Sequence, residues 1–200
     1  MTEFSAGIII FFFNQAILRY IGEEALVSYT IISYVNSIVI MSMAGVAQGS
    51  QPLISYYYGQ KNEDNCKKLL RYGILASMMI SVVAFAVCIL GTESIVSLFV
   101  SPELTELRAY SVKVFRIFSV SFLLAGFNVV VGGYFTAVEE PTSAIMISLG
   151  RGFVTLLCSL FLLTAVAGGA GIWWAPTLSE ALCMGIMLIL FRKYRQSKKK

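Results

Sequence analysis

A bundle of six membrane-spanning α-helices is the fold class this sequence predicts. Three observations carry it. Of 200 residues, 58% are hydrophobic and 13% charged, against about 45–50% and about 25% in soluble domains. The mean hydropathy is +0.79. The apolar residues stand in blocks near the ~20 residues that cross a bilayer, with short polar breaks between them.

The first span is read over 4–21 and is barely long enough, interrupted by Asn14, Gln15 and Arg19. The second runs over 25–54 and ends in Gly45, Gln48, Gly49, Gln51 and Pro52. The third covers 69–90, after the polar loop GQKNEDNCKK. Residues 91–108 read as one or two short interfacial helices. Within them Ser101, Pro102 and Glu103 form a helix-start pattern of N-cap, proline in the first turn and acid near the dipole's positive end. The fourth span is read over 110–138, the fifth over 142–165 after a tight Glu139-Glu140-Pro141 turn, and the sixth over 172–191 after the flexible AGGAG link. Residues 193–200 form a basic tail.

Charge sets the expected orientation. With six spans, eleven of the fifteen Lys and Arg fall on one side: Lys61, Lys67, Lys68, Arg71, Arg151 and the six of 192–200. The other side holds Arg19, Arg108, Lys113 and Arg116. The positive-inside rule then puts both termini in the cytoplasm, in a multi-pass protein of the inner (plasma) membrane. Trp173 and Trp174 at one face and Tyr56, Tyr57 and Tyr58 at the other read as aromatic belts. The net charge of +4 is a topology signal, not a nucleic-acid surface. The opening MTEFSAG carries Glu3 and no basic region, unlike a cleaved signal peptide.

Several chemistries are unsupported. There is no histidine, so no histidine base or ligand exists. Cys66, Cys88, Cys158 and Cys183 form no CxxC pair, and no metal site, disulfide or cofactor is expected. No nucleophile–base pair marks an enzyme.

Polar groups inside spans are costly and therefore informative. Glu180 is the one acid well inside a span, four residues after Pro176, and is read as a cation-coupling carboxylate or a packing one. Arg151, between Gly150 and Gly152, reads as snorkelling inward or pairing with Glu139 or Glu140. Asn14, Tyr34, Asn36, Gln48, Gln51 and Asn128 are candidates for a cavity wall, or glue between helices. Met41 and Met43 would suit variable apolar ligands, or simply pack. Gly45 and Gly49 stand four apart and permit close helix approach. Pro52 leaves the Gln48 carbonyl without its helical partner, so a kink or hinge is expected.

The run GVAQGSQPLISYYYGQKN (45–62) resembles a motif of the MATE (multidrug and toxic compound extrusion) transporters. There, small residues and G-x-x-Q-G-x-Q-P close the eighth helix before a basic loop. IGEEALVSYTI (21–31) and GGAGIWWAPTLSE (168–180) are similar to connections in the same family. The resemblance covers residues 5 to 192 and is greatest to a bacterial branch that includes a staphylococcal multidrug exporter.

The resemblance implies twelve helices in two six-helix lobes, with this chain the C-terminal lobe alone. It implies a cation-coupled antiporter, driven by protons or sodium, exporting amphipathic and often cationic drugs. The partners are then the bilayer, the N-terminal lobe and the drugs. Where some members carry acids on helices seven and ten, the spans here carry Asn14, Gln15 and Asn128. A lipid-linked oligosaccharide flippase of the same superfamily is the alternative, though Arg151 is its one candidate cavity base. A non-transporting truncated membrane protein is another.

Overall fold

The computed structural model describes residues 2–138 and 153–197, with the side chains of 7–138 and 153–192. Glu139, Glu140 and Arg151 lie outside the described residues. Among the described residues eight helices follow one another: α1 (Thr2–Tyr20), α2 (Ala25–Gly59), α3 (Glu63–Leu90), α4 (Thr92–Ser97), α5 (Thr105–Ser119), α6 (Phe122–Ala137), α7 (Thr155–Ala167) and α8 (Gly169–Ser197).

Among the described residues three helices are long and apolar enough to cross a bilayer: Ala25–Gly59, Glu63–Leu90 and Gly169–Arg192. A fourth is added if α5 and α6 count as one span, bent by 40°. Gly7–Tyr20 and Thr155–Ala167 are apolar but shorter. Against the six expected spans, three or four helices among the described residues meet the length and apolarity of a crossing, and residues 142–152 of the expected fifth span lie outside the described residues. The fourth, read as one continuous run, is broken between Ser119 and Phe122. Serine hydroxyls beside the break bond back onto the chain: Ser119 to the Phe115 carbonyl (2.8 Å) and Ser121 to that of Phe118 (2.8 Å). Such back-bonding bends helices.

α6 is the centre of the bundle. It packs against α2, α3, α5 and α8, while α7 packs on α8 and α1 touches α2, α7 and α8. Phe122, Asn128, Val130, Val131 and Phe135 are all buried along it. The crossing of α3 and α6 is close because Gly126 has no side chain. A Cβ there would strike the Ser81 hydroxyl and come within 2.9 Å of the Ser77 carbonyl oxygen. The Ser77 hydroxyl in turn donates to the Gly126 carbonyl at 3.0 Å. Hydroxyls fasten other crossings: Ser28 with Ser111 (2.8 Å), Ser55 to the Ala137 carbonyl (2.8 Å) and Thr155 with Ser179 (2.9 Å).

Local chemistry accounts for the ends. Asn62 caps α3 by accepting from the Asn65 amide at 3.1 Å, with Glu63 and Asp64 in the first turn. The Ser101 start is replaced by a turn, in which Leu104 N–H donates to the Ser101 carbonyl and α5 begins at Thr105. The AGGAG link contracts to Gly168, whose φ of 57° with ψ of -137° only glycine adopts cheaply, and α8 starts at once. Trp173 is not a belt residue. It is buried in the core and donates to the Tyr110 hydroxyl at 2.9 Å, whereas Trp174 is exposed.

Candidate functional site

Two regions gather the residues singled out above. The first is the outer face of α2. Tyr34, Ile38, Met41, Gly45, Gln48, Pro52 and Tyr56 recur every three or four residues and are all exposed. That spacing is one stripe of a helix. The opposite stripe, with Ile32, Val39, Met43, Ala47 and Ile54, is buried in the core. The two methionines therefore part company: Met41 is 73% exposed and Met43 is fully buried.

The helix runs unbroken through Pro52, so the expected break is not a break in the helix. Pro52 sits on the exposed side. Among the described residues no helix crosses at Gly45 or Gly49, since nothing lies within 4 Å of the place a Cβ would occupy on each. The close approach falls one face round, where Ala47 and Gln51 lie over Gly133 of α6. Tyr34 stacks on Phe99 with ring centroids 6.2 Å apart.

The polarity of the stripe is informative. Ser37 and Ser42, also exposed, satisfy themselves on the carbonyls of Ser33 (2.9 Å) and Ile38 (2.8 Å). Gln48 has no such bond among the described residues, and its amide faces outward. An amide in hydrocarbon without a partner costs several kcal/mol by transfer scales. The face is therefore built to meet water, a polar ligand or another protein surface. Asn36 and Gln51 flank it, half-buried, and Asn14 stands half-buried on α1 beside Phe13, which stacks on Tyr29.

The second region is a buried junction of α6 and α8. Asn128 is fully buried, and its amide donates twice to Glu180: to the carboxylate Oε2 at 2.6 Å and to the main-chain oxygen at 2.8 Å. Glu180 is half-buried and stands 11 residues from the start of α8 at Gly169. That is about 16 Å into the helix, deeper than a span beginning at Ile172 would place it. Of the six cavity candidates, Asn128 alone makes a hydrogen bond between helices among the described residues. Among the described residues three buried side-chain atoms lack a partner: Asn128 Oδ1, Ser159 Oγ and Thr177 Oγ1. All lie on α6, α7 or α8.

Sequence reasoning missed the serine fasteners. A signal existed for one of them: Gly73, Ser77 and Ser81 stand four apart, a ridge of small residues on α3. The described residues hold no cluster of three or more Cys, Asp or Glu suited to a metal.

The MatE family model matches residues 3–162. The multidrug export protein MepA of Staphylococcus aureus is 26% identical over 176 residues, which are 87% of this chain and 38% of that protein. An outward-facing multidrug resistance MATE family transporter of the MOP superfamily superposes on all of this chain with a TM-score of 0.89 at 18% identity, covering 45% of its own length. The inward-facing form of such a transporter gives 0.89 at 19% identity over 99% of this chain and 46% of its own. The chain thus spans less than half the length of the proteins it matches.

Proposed function

We propose that this chain, which belongs to the MatE family, forms one six-helix lobe of a multidrug efflux transporter, the C-terminal lobe, and works with a second lobe facing it. It sits in the inner (plasma) membrane with both termini in the cytoplasm, a placement that the eleven-to-four division of basic residues over six spans supports. Its cargo is amphipathic, often cationic drugs; the multidrug export protein it resembles supports drugs as the class of cargo. It does no covalent chemistry.

The observation that carries this reading is the outer face of α2. It mixes aromatic, thioether and amide groups, which suits ligands that are apolar in body and polar in part. Asn36 and Gln51 flank that face on α2, Asn14 on α1 is a further candidate for the same wall, and Gly45, Gly49 and Pro52 leave the face open. A proton or sodium gradient drives export, and Glu180 is the carboxylate that binds the cation. The physical logic is population shift: the cation must bind one access state more tightly than the other. Equal TM-scores of 0.89 against outward- and inward-facing structures suit a lobe that keeps its internal packing through the cycle.

The test is co-expression with a six-helix N-terminal lobe of the family in a drug-sensitive host. Resistance and dye efflux are expected from the pair and not from either part. Failure of the correctly inserted pair to export any amphipathic cation refutes the reading.

A further inference from the structure

We propose that Asn128 and Glu180 form a two-state proton site, in which a proton on Glu180 completes a cyclic acid–amide pair with Asn128. This rests on the reading of Glu180 as the cation-binding carboxylate and names the residue that senses its state.

A carboxylic acid and a primary amide are self-complementary. The amide N–H donates to one carboxyl oxygen, and the acid O–H donates back to the amide oxygen. The structure holds the first half of that ring, Asn128 Nδ2 to Glu180 Oε2 at 2.6 Å. The second half lacks its donor: Asn128 Oδ1 is buried and unpartnered, on a side chain with no exposure at all. A carboxylate has no proton to offer it, being an acceptor only. Buried polar atoms are almost always satisfied, and an orphan costs its desolvation. A proton taken up from water at the second oxygen of Glu180 supplies the missing donor. One O–H bond forms, the carboxylate charge is neutralised, and Asn128 Oδ1 accepts from the new hydroxyl. The bond from Asn128 to the Glu180 main-chain oxygen, 2.8 Å, keeps the amide in place in both states. The proton therefore changes the α6–α8 junction from one side-chain bond to two.

The elements packed on α8 are α7, α6, α5 and α1. Among the described residues their titratable or charged groups are Cys158 on α7, Tyr134 on α6, Glu106, Arg108, Tyr110, Lys113 and Arg116 on α5, and Arg19 and Tyr20 on α1. Tyr110 is held by Trp173 and Arg116 by Glu93. On α8 itself Cys183 follows Glu180 by three residues.

Infrared difference spectroscopy of the full chain in lipid nanodiscs, titrated from neutral to acid pH, reads both partners. Asparagine carrying labelled side-chain carbonyls separates the amide signal, and Asn128→Ser assigns it. The expected result is a carboxylic-acid band that rises together with a downshift of the Asn128 carbonyl band, both absent in the near-isosteric Glu180→Gln. An acid band lost in Glu180→Gln but with no movement of the Asn128 band overturns this proposal and leaves the cation reading of Glu180 standing. No band attributable to Glu180 overturns both.

Discussion

α2 and α3 both pack on α6, yet they show the outside two different faces. The exposed residues in the middle of α3 are Leu75, Met79, Val82, Val83 and Val87, apolar throughout. Those of α2 include Tyr34, Ser42, Gly45, Gln48 and Gly49. A helix that meets only lipid has no reason to spend an outward position on glutamine. The comparison teaches that exposure in a membrane bundle can have two meanings, which side-chain chemistry separates: the α3 face suits hydrocarbon, and the α2 face suits something polar.

The harshest way to break that comparison is a charge on each face. Met79→Arg on α3 is expected to cost about 2.5–3.5 kcal/mol of insertion free energy, the range for arginine at a span's centre. Gln48→Arg on α2 should cost well under half of that. Insertion assays that compare the two variants check it, and equal penalties would erase the distinction. Next is the support both faces share. Gly126→Val at the α3–α6 crossing should destabilise the fold by about 1–3 kcal/mol through overpacking, read as a lowered melting temperature in detergent. A wild-type melting temperature would mean the crossing is not as close as described. Gly49→Leu on the open face, with nothing near it, should change stability by no more than about 0.5 kcal/mol, yet narrow the path and reduce drug efflux in the reconstituted pair. The smallest effect belongs outside both faces. Lys67→Ala removes an exposed ion pair with Glu63 at 3.2 Å and should shift stability by less than about 0.5 kcal/mol, within the scatter of repeated melts.

Much of this contrast was legible in the sequence. Apolar blocks and polar breaks located α2, α3 and α8, and the glutamine-glycine-proline run marked α2 as unusual. Other features depend on neighbours that no local pattern names. Gly45 and Gly49 have the spacing of a crossing, but the close approaches fell at Gly126 and Gly133, where hydroxyls or small side chains face the gap. Asn128 and Glu180 are 52 residues apart, and only the packing of α6 on α8 joins an amide and an acid that the sequence offers separately. The break after Ser119 has no proline or glycine at it; paired serine hydroxyls act instead. Trp173 looked like a belt residue because indole favours interfaces, but the Tyr110 hydroxyl satisfies its N–H inside the core.

The central claim, that the outer face of α2 meets water while that of α3 meets lipid, is tested most directly by thiol labelling. Gln48→Cys and Met79→Cys would be made separately with the exposed Cys158 replaced by alanine, and treated in membranes with a water-soluble maleimide. The reaction needs a thiolate, and thiolates need water. The expected result is rapid labelling at position 48 and none at 79, where 68% exposure is exposure to hydrocarbon. Equal labelling at both positions, or labelling at 79 alone, would contradict the account.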